Sequence, residues 1–249
     1  MSQCTFTNDN NVVISLFDHP FTKDFSGRDN HEVLFRKIHT YLINNGYISN
    51  NIIDLGAWIG DNTIPWSKTI GETNTVYAID PSPNNCDFIR QMCELNNISN
   101  VKIIQTAVSD KNETLSTRDS IDHCSFLNEG TVKMEAVSLD HLYNSGVISK
   151  IGYIHLDVEG MEHKVIMGAT KLIEECTPII AFEQHLKTDN FIDLIDYMGS
   201  KNYFVFMIDE ILPGCLPDCR NFIAFPKSDF NYSILNEIST HFGHNVFIF

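Results

Sequence analysis

Basic residues are scarce in this chain. Its 249 residues hold 17 Lys and Arg against 32 Asp and Glu, a formal net charge of −15 with histidine neutral. Nucleic-acid affinity depends on Lys and Arg neutralising phosphates, and no Lys/Arg cluster stands out, so no nucleic-acid partner is expected. Attraction to an anionic membrane surface is disfavoured for the same reason.

Long apolar runs are missing too. Ile151–Ile154 and Pro178–Phe182 fall well short of the ~20 residues that a membrane-spanning helix needs. The start, Met1-Ser2-Gln3-Cys4-Thr5, has neither a basic nor an apolar segment, so the expectation is no signal peptide, no membrane insertion and a cytoplasmic location. Seven cysteines, odd in number and irregular in spacing, point to free thiols in a reducing compartment. Cys86 and Cys93 fall on one predicted helix. Cys215 and Cys219 bracket a proline-containing loop, but a zinc site there needs two more ligands, and no convincing pair stands nearby in sequence, so no metal is assigned.

What is present is an ordinary globular composition, 43% hydrophobic and 20% charged, at a length suited to one α/β domain with a large core, or to one domain plus a small appendage. Val12–Phe17 reads as a short strand. Asp29 or Asn30 is placed to cap a helix from His31 to about Asn45, with Val33, Leu34, Ile38, Tyr41 and Leu42 on one face and Gly46 ending it. Strand–helix alternation follows. Strands are predicted at Asn51–Leu55, Thr75–Ile79, Val101–Thr106, Ile151–Leu156 and Pro178–Phe182. Helices are predicted at Asn62–Ile70, Pro83–Asn96, Met161–Glu175 and Asp189–Ser200, with a short one starting at Ser138. Tyr203–Ile208 and Asn221–Phe225 look like a closing antiparallel pair. Residues 113–137 break the rhythm as an inserted excursion, and the residues after 227 give no secure reading. Repeated strand–helix units imply a mostly parallel sheet with helices on both faces and an antiparallel C-terminal strand.

In such open sheets, ligands sit beyond the carboxyl ends of the strands where strand order reverses. The first strand of the alternation ends in Asp54-x-Gly56-x-x-x-Gly60. Its glycines allow a tight turn and close approach of backbone to ligand. Position 58 is Trp, so the dinucleotide pattern G-x-G-x-x-G is absent, which argues against a nucleotide-dependent oxidoreductase. The turn is similar to that of class I methyltransferases that bind S-adenosylmethionine. Asp80 ends the second strand, where a carboxylate can accept both ribose hydroxyls of a nucleoside; its competing reading is a turn or cap residue before Pro81. Asp54 is assigned to orient the turn and meet the cofactor's amino group through water. Asn62 and Thr63, at a helix start, are assigned to its carboxylate. Ala57 and Pro81 line the same turns, and Gln105 through Ala107 fall where an adenine edge would lie. Trp58 either covers the cofactor or packs under it.

A second constellation lies in His155-Leu156-Asp157-Val158-Glu159-Gly160-Met161-Glu162. His155, Asp157 and Glu159 alternate, so they share one direction if the strand persists. Glu183 and His185 alternate likewise after Phe182. If the two strands are neighbours, carboxylates and imidazoles meet at one edge, where crowding shifts their proton affinities. The catalytic candidates are His185 as general base with Asp157, Glu159 and Glu183 around it. Two alternatives are local capping by Glu159 or His185, and a Mg²⁺ ion held by Asp157, Glu159 and Glu183. His31, His39, His123, His141, His241 and His244 are assigned to the surface.

The segments Ile53–Gly60, Val76–Pro83, Asn100–Asp110, Val137–Asp140, His155–Glu162 with Gly168-Ala169, and Pro178–His185 together resemble the FkbM family of S-adenosylmethionine-dependent methyltransferases. The family commonly has Asn at the position of Trp58 and Glu at that of Asp80. The resemblance implies a class I methyltransferase fold with a Rossmann-like sheet. It also implies S-adenosylmethionine as cofactor and O-methylation of a hydroxyl on a sugar, glycan or other small-molecule acceptor. The domain would span residues 49–227, after a strand and helix extension over 1–48 and before a tail over 228–249. The competing non-enzyme reading is a methyltransferase-like interaction module, against which the intact acidic and histidine set argues.

Overall fold

In the computed structural model, the described residues are 4–8, 11–27, 31–117, 132–187, 191–213, 215–228, 233–243 and 246–248. The chain begins with β1 (Cys4–Thr7), β2 (Val13–Leu16), α1 (Thr22–Gly27) and α2 (Val33–Asn44). The alternating part runs β3 (Asn51–Leu55), α3 (Thr63–Thr69), β4 (Val76–Asp80), α4 (Pro83–Leu95) and β5 (Val101–Gln105). An excursion follows with β6 (Ala107–Val108), β7 (Glu113–Thr117), β8 (Val132–Val137) and α5 (Leu139–Asn144). Then come β9 (Ile151–Leu156), α6 (Glu162–Met167), α7 (Thr170–Cys176), β10 (Ile179–His185), α8 (Phe191–Ser200), β11 (Tyr203–Ile208), β12 (Cys219–Pro226), α9 (Ser233–Phe242) and β13 (Val246–Ile248).

The main sheet has the order β13-β11-β12-β10-β9-β3-β4-β5. β3 pairs in parallel with both β4 and β9, so strand order reverses at β3/β9 and opens a crevice beyond their carboxyl ends. β12 runs antiparallel between β10 and β11, and β13 adds a further antiparallel edge. The excursion forms a separate small sheet in the order β6-β8-β7.

Alternation along each strand decides which face it serves. Ile52, Tyr153, Ile179, Ala181, Phe206 and Ile223 pack with α2, α3 and α9. Ile53, Leu55, Ile154, Leu156, Ile180 and Phe182 pack on the opposite side with α6, α7 and α8. Both faces are covered, which is why these strands read as apolar runs. A third cluster joins β2 and α1 to α4 through Leu16, Phe17, Phe25, Phe88 and Met92.

Several expectations are corrected. The helix expected over Met161–Glu175 is two helices, because Gly168 interrupts it: a Cβ there would stand 2.3 Å from the Ser109 carbonyl oxygen. The buried face of α2 is rotated from the expected one, taking in Phe35, Arg36 and His39. His31 and His39 are buried, not surface residues. His39 stacks on Trp66 at 4.1 Å, and burial, then the charge of His155, lowers its proton affinity. The residues after 227, unread in the sequence, include α9 and β13. Asp29, Asn30, His123, Asp189 and His244 lie outside the described residues.

Candidate active site

The glycine turn and the acidic turn are built against each other. Gly56 has φ +78, and a Cβ there would stand 1.8 Å from the Asp157 carbonyl oxygen. The Asp157 amide donates to the Leu55 carbonyl at 3.0 Å, which continues the β3–β9 pairing past the last strand residue. Gly60 turns with φ +75 and packs on Ile89, where a Cβ would come within 3.0 Å. Trp58 also has positive φ, at +44; its amide donates to Asp80 at 2.8 Å, so the turn is tied to the end of β4.

Asp54 is 1% exposed, and both its oxygens have protein partners. Thr63 donates its hydroxyl to one, and His155 Nδ1 stands 2.9 Å from the other. Burial pulls the His155 imidazole down, but the hydrogen bond and charge of Asp54 more than offset it, and its proton affinity is raised. The structure therefore places Thr63, fully buried, as a support for Asp54. Asn62 is buried, and its Oδ1 has no hydrogen-bond partner among the described residues.

Asp80 accepts from the Ser82 amide at 2.8 Å and the Asn85 side chain at 3.1 Å, besides the Trp58 amide. Burial pushes its carboxyl up to about 6, against those hydrogen bonds. Asp80 therefore organises the two turns that meet at the end of β4. Gln105 pairs with Asp80 in register and is exposed, while Ala107 is buried in the small sheet. Ala57 is buried and Pro81 half-buried.

β9 and β10 are neighbours, as the alternation argument required. His155 lies in β9, and Asp157 is half-buried just beyond it. The alternation does not reach Glu159, which corrects the shared direction expected for it. The backbone turns left-handed there, with φ +55 at Glu159 and +88 at Gly160, and leaves Glu159 exposed. Glu162 holds that turn, accepting from the Val158 amide at 3.0 Å and from Gln184 Nε2 at 2.9 Å. β10 runs on to His185, farther than expected, because β12 pairs with it to the end. Glu183 and His185 thus keep their alternation, with His185 Nε2 4.0 Å from Glu183 Oε1.

Burial raises the proton affinity of Asp157, and the charges of Glu183 and Glu32 add to it. Burial likewise pushes Glu183 up to about 8, against a hydrogen bond from the Cys219 thiol. Glu32 was missed in the sequence. It precedes α2 with φ +56, is 2% exposed, and accepts from Asn221 at 2.9 Å. Arg36 lies one turn on and pairs with Asp61 at 2.7 Å, joining α2 to the residue after Gly60. The i,i+4 spacing of Glu32 and Arg36 was the available signal, but it reads as a solvated pair until the helix is known to bury that face. Among the described residues, the converging metal-competent group is Glu183, His185 and Cys219, not Asp157, Glu159 and Glu183.

This sheet order, with the crevice at β3/β9 and acids on the strand ends, defines a class I methyltransferase fold. The family description "Methyltransferase FkbM domain" matches residues 54–209, and the chain belongs to that family. A methyltransferase FkbM from Methylobacillus flagellatus KT superposes with a TM-score of 0.52 at 18% identity, covering 70% of this chain. That match spans only 43% of the Methylobacillus chain. A cofactor-bound protein from MTB superposes with a TM-score of 0.50 at 8% identity, covering 78% of this chain and 80% of its own. An O-methyltransferase from Bacillus cereus in complex with SAH gives 0.49 at 12% identity, covering 81% and 86%. No curated protein matches the chain. Among the described residues, no helix is long and apolar enough to cross a membrane.

Proposed function

We propose that this chain is an O-methyltransferase acting on a hydroxyl of a sugar, glycan or related small-molecule acceptor. The observation that carries the reading is the convergence of Asp157, Glu183 and His185 at the ends of two neighbouring strands, in backbone contact with the glycine turn. When bound, S-adenosylmethionine supplies a methyl group on a sulfonium, and displacement needs only alignment and a place for the acceptor's proton.

The chain's own residues divide that work. Gly56 and Gly60 let the turn come close to the cofactor, with Ala57 and Pro81 beside it. The orphaned Asn62 Oδ1 is an acceptor suited to an ammonium group, and the amide's other end suits a carboxylate. Asp80 accepts from ribose hydroxyls, with Gln105 and Ala107 on the adenine side. Asp54 acts from behind, holding Thr63 and His155 under the turn. His185 is the group placed to take the acceptor's proton, Glu183 orients it, and Asp157 and Glu159 hold acceptor hydroxyls.

Calorimetry with S-adenosylmethionine and S-adenosylhomocysteine tests the cofactor side, comparing wild type with Asp80→Ala. Binding that is lost in the variant supports the site and leads to a screen of methylatable sugars. His185→Ala should keep cofactor binding and lose roughly 10²–10⁴ in turnover. Normal turnover in that variant removes His185 from the chemistry, and absence of binding to either ligand overturns the whole reading.

A further inference from the structure

We propose that Glu183, His185 and Cys219, completed by Cys215, form a binding site for one divalent transition-metal ion of the zinc type. Glu183 and His185 are two apart on β10, so they project to one face. Cys219 is the direct register partner of His185 on the antiparallel β12, and so shares that face. The ligand atoms of these three lie within 4.8 Å of one another. Tetrahedral zinc, with bonds of ~2.0–2.3 Å, brings its ligand atoms to within about 4 Å, a closure that side-chain rotation supplies. Cys215 is the fourth ligand: its side chain hydrogen-bonds Cys219, and its Sγ lies 3.4 Å from His31 Nε2.

The donor set selects the ion. Two thiols, an imidazole and a carboxylate suit zinc, whereas Mg²⁺ prefers oxygen ligands alone.

The binding claim stands on ligand geometry alone. Its use rests on the proposed methyl transfer: with four protein ligands the ion has no open position for the acceptor, so it would fix the ends of β10 and β12 beside Asp157, and His185 would serve as ligand rather than free base.

The test is metal content by plasma mass spectrometry, after incubating reduced full-length protein with Zn²⁺ and dialysing it. One zinc per chain is expected in wild type, with loss of that zinc in Cys219→Ser, Cys215→Ser and Glu183→Gln. Circular dichroism identifies any variant that fails to fold, and cobalt-substituted wild type gives a readout free of mutation: thiolate-to-cobalt charge transfer with intense tetrahedral visible bands. The proposal is overturned if fully reduced wild type takes up no stoichiometric zinc, if cobalt binds without a thiolate band, or if Cys215 and Cys219 persist as a disulfide under reductant. Cofactor binding without zinc overturns this site and leaves the methyltransferase reading with His185 as base. Zinc without cofactor binding does the reverse.

Discussion

A side chain on Gly56 would place its Cβ 1.8 Å from the Asp157 carbonyl oxygen. The glycine turn and the acidic turn are therefore one object, since the glycine turn has room only for backbone where the acidic turn crosses it.

That contact predicts a costly Gly56→Ala. Positive φ alone costs an alanine ~1–3 kcal/mol. The overlap with Asp157 requires backbone displacement on top of that. Gly46 is the natural control, with nearly the same φ of +77 and nothing within 4 Å of its virtual Cβ. Gly46→Ala should lower the melting temperature modestly and leave cofactor affinity unchanged. Gly56→Ala should lower it further and abolish cofactor binding. Equal behaviour of the two variants would remove the argument from contact.

Asp80 predicts a pH dependence of known sign. Its folded-state carboxyl is raised from 3.8 to about 6, so the folded state binds the proton more tightly than the unfolded chain does. Its contribution to stability is therefore full below about pH 4 and is lost as pH rises through about 6, a change of about 3 kcal/mol. Cofactor affinity should move the other way, rising as Asp80 ionises and can accept both ribose hydroxyls. Calorimetry from about pH 5 to 8 should show that rise in wild type and a flat profile in Asp80→Asn.

Arg36 and Asp61 make a buried pair, their side chains 7% and 8% exposed. Arg36→Ala leaves Asp61 buried without that partner and should cost ~3–5 kcal/mol in urea unfolding. Arg90 and Asp87 pair on the surface, 53% and 65% exposed, and Arg90→Ala should change stability by less than ~1 kcal/mol. A small effect at Arg36 would show that water reaches Asp61.

Glu162 supports the acidic turn from the other face of the sheet. Glu162→Ala frees the Val158 amide and Gln184 Nε2 from their shared acceptor. An unmet buried donor costs ~1–3 kcal/mol. The expected outcome is a lower melting temperature together with faster hydrogen exchange at Val158 and Gly160, with cofactor affinity reduced through the displaced Asp157. Unchanged exchange there would mean that the turn holds itself.

Much of this fold was legible in advance because local patterns carried it. Asn51–Leu55 and Ile151–Leu156 emerge as strands with the bounds expected of them, since apolar runs between turn signals leave little choice. Glu159 was misjudged because alternation was extended past the strand's end, where Gly160 lets the backbone turn. The burial of His39, and of Arg36 beside it, escaped the sequence because helical periodicity shows that a face exists but not which polar residues a neighbour will bury with it. The partners of Cys219 could not be found by spacing, because Glu183 and His185 reach it only through strand register.

By itself, the sequence determined the strand–helix order, the acid-x-Gly-x-x-x-Gly turn, the acidic block and the family, because each depends on residues adjacent along the chain. Tertiary structure alone decided that Asp54 is bound to His155, that Glu32 stands buried beside Asn221, and that Cys219 faces a histidine and a glutamate. Those relations depend on which strands become neighbours and in what register, and a one-residue slip would turn every one of these side chains to the opposite face.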